Sequence, residues 1–164
     1  MSQLQVQRLT FTFPSGWSAS KYDDWSFYRN QFVRQFDAIQ GVDLIALAPD
    51  DTAYLIEVKD YRHPDTERPS ELPRAIANKV LMTLAAMLPA KLHGNDPSEC
   101  AIAASVLKCR ELRVVAHVEL PQAHRPVVDL ADLKQKLAQL LRAVDAHPKV
   151  VSTNKLRGLA WQVT

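Results

Sequence analysis

Three charged residues interrupt the most apolar part of this chain. The stretch from Gly41 to Tyr61, GVDLIALAPDDTAYLIEVKDY, holds two apolar strand candidates on either side of a polar turn at Pro49, Asp50 and Asp51, with Asp43, Glu57 and Lys59 set into the strands. Strands that fold back about residue 50 bring Asp43 opposite Glu57. Side chains alternate between the faces of a strand, so Glu57, Lys59 and Asp43 share one face. Ile45, Leu47, Ala53 and Leu55 lie on that face too, and Val42, Leu44, Ala46, Tyr54, Ile56 and Val58 occupy the other. Strands apolar on both faces are covered on both faces, which puts the hairpin in the middle of a layered α/β domain. Two carboxylates at the margin of a buried sheet repel each other unless a cation or a shared proton relieves them. A hard divalent ion held by oxygen ligands is the simplest relief. The plainer alternative, a surface Glu57–Lys59 pair with Asp43 as a strand-end charge, leaves charges on doubly apolar strands unexplained.

A length of 164 residues fits a single domain, 1–164, with a core that needs no staples. The net charge of +2 does not by itself call for nucleic acid, but its distribution is uneven: residues 1–60 carry 5 Lys/Arg against 8 Asp/Glu, and residues 61–164 carry 15 against 10. An acidic patch within a mildly basic body suits a metal site facing a polyanion. Cys100 and Cys109 lack zinc-site spacing, and His63, His93, His117, His124 and His147 are scattered, as surface histidines are. With no signal peptide and no apolar run of about 18 residues, the expected location is the cytoplasm, with free thiols and no membrane contact.

Around the hairpin the pattern alternates between strand and helix. Leu4 to Phe13 reads as a strand with one slip in period, and Lys21 to Phe36 as a helix, with Ser20 and Asp23 as a capping box and Trp25, Tyr28, Phe32 and Phe36 as its core stripe. Its polar side carries Arg29, Asn30, Gln31 and Arg34. The polar segment Asp60 to Pro69 reads as a loop that presents Tyr61, Arg62 and His63 where a substrate approaches. A second helix follows from Ser70 to about Leu88, its start fixed by Pro73 and with Lys79 near its middle. Asp96 caps a short helix to Lys108. Leu112 to Leu120 alternates as a third core strand, with Arg113, Val115, His117 and Glu119 on a face expected to be wet. Asp129 and Asp132 open an amphipathic helix to Val144, a basic loop holds Lys149, Lys155 and Arg157, and Leu159 to Val163 closes as a short strand.

This order, helix, strand with Asp43, strand with Glu57-Val58-Lys59, helix, strand, resembles the PD-(D/E)xK nuclease superfamily, over residues 21 to 120 as a pattern of elements. Val42 stands where the family name has proline. The resemblance implies a restriction-endonuclease-like αβββαβ core: a central mixed β-sheet flanked by helices on both faces. It also implies that Asp43, Glu57 and the Val58 backbone carbonyl bind Mg²⁺ (or Mn²⁺), and that Lys59 holds the attacking water or neutralises the scissile phosphate. An acidic residue on the preceding helix often completes such a metal shell. Asp23 and Asp24 are the candidates, and Asp24 is preferred because capping accounts for Asp23. Lys79 falls where the superfamily often places a phosphate contact, and Tyr61 and Arg62 are further substrate-binding candidates.

The expected function is a Mg²⁺-dependent endonuclease acting on nucleic acid, with DNA ahead of RNA. The alternative from another class is a nuclease-like fold serving as a non-catalytic nucleic-acid-binding or protein-interaction subunit of a defence or repair assembly. No recognition domain is appended, so specificity would come from loops, a partner subunit or a homodimer, and the leucine stripe from Asp129 to Val144 is a candidate dimer face.

Overall fold

The central hairpin forms as its alternation requires, and the rest of the chain is arranged about it. The computed structural model describes residues 1–122, 126–156 and 158–164, so His124 and Arg157 lie outside the described residues. In chain order the elements are β1 (Ser2–Val6), β2 (Leu9–Phe13), β3 (Ser18–Lys21), α1 (Ser26–Asn30), β4 (Leu44–Leu47), β5 (Thr52–Asp60), α2 (Leu72–His93), α3 (Pro97–Lys108), β6 (Glu111–Glu119), α4 (Leu130–Leu140), β7 (Lys149–Val151) and β8 (Gln162–Val163). Five strands form a mixed sheet in the order β3-β4-β5-β6-β7, which puts β5 at its centre. The pairs β3–β4 and β4–β5 are antiparallel, and β5–β6 and β6–β7 are parallel. Leu44 faces Ile56 and Leu47 faces Ala53, so the next pair beyond the ladder is Asp43 with Glu57.

The two faces of this sheet are covered differently. On one, Ile45, Ala53, Leu55, Val114 and Ala116 meet α2, α3 and α4 through side chains such as Ile76, Val80, Ala103 and Leu133. On the other, Leu44, Ala46, Ile56, Val58 and Val115 meet Phe11, Phe13 and Trp161, because β1, β2 and β8 form a second, three-stranded antiparallel sheet. The fold is thus the expected α/β class with a central mixed sheet, but the second cover is a sheet where helices were expected. The slip in period that suggested one imperfect N-terminal strand is the turn between β1 and β2, with Gln7 at a φ of 54°. Cover by this sheet also corrects the expected wet face of β6. His117 is fully buried, its Nε2 2.8 Å from Glu119 Oε1, which also accepts from the Thr153 N–H at 2.6 Å. A hydrogen-bonded polar chain is what makes that burial tolerable.

The helix expected over residues 21–36 is the largest departure. Ser18–Lys21 pairs with β4 as an edge strand, and a 3-10 turn at Tyr22–Asp24, the five-residue α1 and a second 3-10 turn at Phe32–Arg34 follow. Ser20 is not a helix cap: its hydroxyl accepts from the Trp25 indole at 2.7 Å. The aromatic stripe splits, with Trp25 and Tyr28 gathered about Tyr22 and Phe36 left 75% exposed. Gly41 passes so close to the Tyr22 ring that a Cβ there would sit 2.4 Å from it, which fixes the entry into β4. In the basic loop, Lys149 opens β7.

α2 is long and apolar enough to cross a membrane, and here it lies on the sheet with Leu72, Ile76, Val80, Ala86, Met87 and Ala90 among its buried residues. Its start next to Pro73 agrees with the sequence reading, and it continues through Pro89 to His93. Asp96 and Asp129 cap α3 and α4 through their side chains, as expected.

One long-range contact holds α1 in place. The Glu99 carboxylate, in the first turn of α3 and 8% exposed, accepts from Ser26 N at 2.7 Å, Phe27 N at 3.0 Å and Ser26 Oγ at 3.1 Å. It supplies the N-terminal partners that α1 lacks from its own chain neighbours. Glu99→Ala orphans those donors and is expected to destabilise the fold by about 2–3 kcal/mol, read as a lower urea midpoint. An unchanged midpoint would show that water replaces the contact at no cost.

Candidate active site

The charged cluster forms where pairing with β4 stops and β5 runs on. The β4–β5 ladder stops at the Leu44–Ile56 pair, where β4 begins, while β5 continues to Asp60, so the backbone groups of residues 58 and 60 on that side have no strand to pair with. Side chains take its place. The Val58 N–H donates to Asp43 Oδ2 at 2.7 Å, Gln7 Nε2 donates to the Val58 carbonyl at 3.2 Å, and the Asp60 N–H donates to Gln7 Oε1 at 3.2 Å. The carboxamide from the β1–β2 turn therefore extends the ladder by one rung.

Glu57 is 1% exposed and points to the helical side. Its Oε1 accepts from Lys79 of α2 at 2.6 Å and lies 3.4 Å from the Lys59 ammonium, whereas its Oε2 is buried without a partner. Burial, and then repulsion from Glu57, pushes the Asp43 carboxyl up to about 7, against the pull of Lys79, the Val58 N–H and Lys59. Burial depresses the Lys79 ammonium, but attraction to Glu57, its hydrogen bond to that carboxylate and the charges of Asp43 and Glu67 outweigh it, and the net direction is upward. A cleft of about 450 Å³ opens on this cluster, lined by Gln7, Arg8, Asp43, Lys59, His63, Asp65, Thr66, Glu67 and Lys79.

The two candidates for an extra carboxylate separate clearly. Asp24 is engaged by Lys21 at 3.0 Å and by Arg29, which hold its carboxyl below the ordinary range, and it is not among the residues that line the cleft. Asp23 is held above the ordinary range by burial and then by repulsion from Asp43, and its Oδ1 is buried without a partner. Among the described residues, no three His, Cys, Asp or Glu side chains stand together as a metal cage. The loop candidates also divide. Tyr61 is 2% exposed, with Arg68 over its ring at 5.6 Å, and Arg62 forms a two-pronged pair with the buried Asp60 carboxylate, 2.8 Å on each side. Of that trio only His63 lines the cleft.

Sequence reasoning missed Gln7, Arg8 and Tyr28. Gln7 and Arg8 sit in what reads as the middle of one strand, and the slip in period was the only signal of a turn there. Tyr28 lies within electrostatic reach of Lys79, Asp23 and Glu57, and burial is the main cause that raises its hydroxyl above the ordinary range.

No protein-family model matches the chain, and no solved structure does. The chain is similar to a protein of Neisseria meningitidis serogroup A / serotype 4A (strain DSM 15465 / Z2491) named cysteine–tRNA ligase, with 29% identity over 209 aligned positions. The similarity takes in the whole of this chain and 30% of that protein's length.

Proposed function

We propose that this chain is a divalent-cation-dependent phosphodiesterase acting on nucleic acid, with DNA as the first substrate expected, and that it works in the cytoplasm. The observation that carries the reading is the convergence of Asp43, Glu57, Lys59 and Lys79 at the open end of β5, where Asp43, Lys59 and Lys79 line a cleft and Glu57 is buried against the lysines with its Oε2 unpartnered. The run of three antiparallel strands, then helix, then a parallel strand, supports the nuclease resemblance; α1, standing between β3 and β4, departs from it.

The donor set suits Mg²⁺, which takes one or two carboxylates and keeps several waters, so a closed cage is not required. Asp43 and Glu57 would hold the ion, with the second lone pair of the Val58 carbonyl as a further donor and Asp23, which is coupled to Asp43, preferred to Asp24 as an extra carboxylate. When bound, the ion supplies acidity to a water and positive charge to a phosphate oxygen. Lys59, 3.4 Å from Glu57 Oε1, would orient the attacking water or balance charge on the scissile phosphate. Lys79 sets the position of the Glu57 carboxylate.

One observation favours the second reading, a non-catalytic binding subunit: Lys79 and Lys59 already balance Glu57. The name of the similar Neisseria protein adds tRNA to the ligands worth testing under either reading. The deciding experiment incubates the protein with labelled single- and double-stranded DNA, single-stranded RNA and tRNA, in Mg²⁺, Mn²⁺ or EDTA. Cleavage in the divalent ions and none in EDTA is the expected result. Binding without cleavage of any substrate would support the binding subunit, and cleavage that persists in EDTA would overturn the metal-dependent reading.

A further inference from the structure

Part of the cleft that Lys79 lines comes from the second sheet. Arg8 lies in the β1–β2 turn, exposed, and projects to the cleft lining. Unlike Lys59 and Lys79, which Glu57 engages, Arg8 has only the His63 ring as a side-chain hydrogen-bond partner among the described residues. His63 is in turn 3.4 Å from Asp60 Oδ2, and Asp60 is fully buried and clamped by Arg62. With Nε2 turned toward that carboxylate, the other ring nitrogen, Nδ1, is left to accept from Arg8. Asp60 therefore fixes how His63 meets Arg8. Gln7, one residue before Arg8, pins the turn to β5 through Val58 and Asp60, so this hairpin cannot drift relative to Glu57. An arginine held on a rigid support, with no carboxylate paired to it, has free guanidinium donors that can grip two oxygens of a phosphate.

We propose that Arg8 is a phosphate-binding residue of this cleft, gripping a phosphodiester next to the one at Asp43 and Glu57, with Gln7 and His63 as its positioning residues. The proposal rests on the reading of the cleft as a nucleic-acid site but not on hydrolysis taking place there. Its ligand chemistry is the phosphodiester backbone, common to DNA and RNA. Arg8 lies outside the hairpin-and-helix pattern on which the nuclease resemblance rests.

The test measures binding of labelled oligothymidylate and oligouridylate in EDTA, where no metal-dependent cleavage occurs, over a series of salt concentrations. Arg8→Ala is expected to weaken binding about tenfold and to reduce the slope of log K against log salt by about 0.7, the loss of one phosphate contact on a single strand. Arg8→Lys should recover part of the affinity and the whole slope. His63→Phe should weaken binding with the slope reduced, while thermal stability of Arg8→Ala, Arg8→Lys and His63→Phe stays near the wild type; Gln7→Ala should weaken binding as well but also lower stability, because it leaves the Val58 carbonyl and the Asp60 N–H unpaired. An Arg8→Ala protein with wild-type affinity and slope overturns the proposal, as does a wild type that binds neither oligonucleotide. Absence of cleavage by a wild type that binds in this Arg8-dependent way would remove the hydrolytic function and leave the phosphate site standing. A loss on oligothymidylate alone or oligouridylate alone supports the site and assigns its nucleic acid.

Discussion

Glu57→Gln is expected to reduce divalent-dependent cleavage by about 10²–10³-fold, the loss typical of removing one preorganised stabilising group from a transition state, while the protein stays folded. Glutamine keeps the volume of Glu57 and an oxygen in reach of Lys79, so packing is retained and the charge alone is removed. Glu57→Ala isolates the structural part. Lys79 and Lys59, with side chains 17% and 9% exposed, would lose the carboxylate that holds both of them. Removing one member of a buried pair destabilises by about 3–5 kcal/mol, because the charge left behind is neither solvated nor paired. Urea denaturation should therefore order the proteins wild type, Gln, Ala, with a wide gap before Ala. Cleavage by the Gln protein at the wild-type rate would separate Glu57 from any catalysis, and an Ala protein as stable as wild type would mean that the lysines swing out to water.

The centre of the fold was legible because its signals are local. Alternation, a polar turn and doubly apolar faces in residues 41–61 were enough to derive the pairing that puts Asp43 beside Glu57, and Pro73, Asp96 and Asp129 marked helix starts within a residue or two. The second sheet was not legible. Its outer strand β8 has two residues and pairs with β2 from the far end of the chain, so no window of sequence contains the evidence for it. Without that sheet, the polar residues of β6 read as a wet face, whereas a buried His117–Glu119–Thr153 chain occupies it.

The site shows the same division between local and tertiary information. Lys79 was visible as a lysine on an apolar helix, but its bond to Glu57 depends on how α2 crosses the sheet. Reading residues 21–36 as one helix made Asp23 a cap and so favoured Asp24. With β3 and a 3-10 turn there instead, Asp24 turns back to Lys21 and Arg29, and Asp23 is the residue coupled to Asp43. The slip in period marked a turn at Gln7 but not its role, which is to satisfy backbone groups 51 and 53 residues away.

Asp43→Asn should make the protein more stable at alkaline pH, which sets the site apart from ordinary surface carboxylates. The Asp43 carboxyl rises from 3.8 to about 7 on folding, chiefly through burial and then through Glu57. A group whose folded value is raised contributes stability that is complete below its unfolded value and is lost as pH climbs through its folded value. For Asp43 that window runs from 3.8 up to about 7. Above it, wild type carries an ionised carboxylate that the fold disfavours, by up to about 4 kcal/mol at 1.36 kcal/mol per unit. Asparagine keeps an acceptor for the Val58 N–H and carries no charge. The expected result is a higher urea midpoint for Asp43→Asn than for wild type at about pH 9, with the two curves converging below about pH 4. Added Mg²⁺ should close the alkaline gap by stabilising wild type alone, since a ligand raises stability only where it binds the folded state. A variant less stable than wild type at about pH 9, or a gap that does not change with pH, would mean that Asp43 is already balanced by the lysines around it, and the strongest physical argument for a cation at this site would be gone.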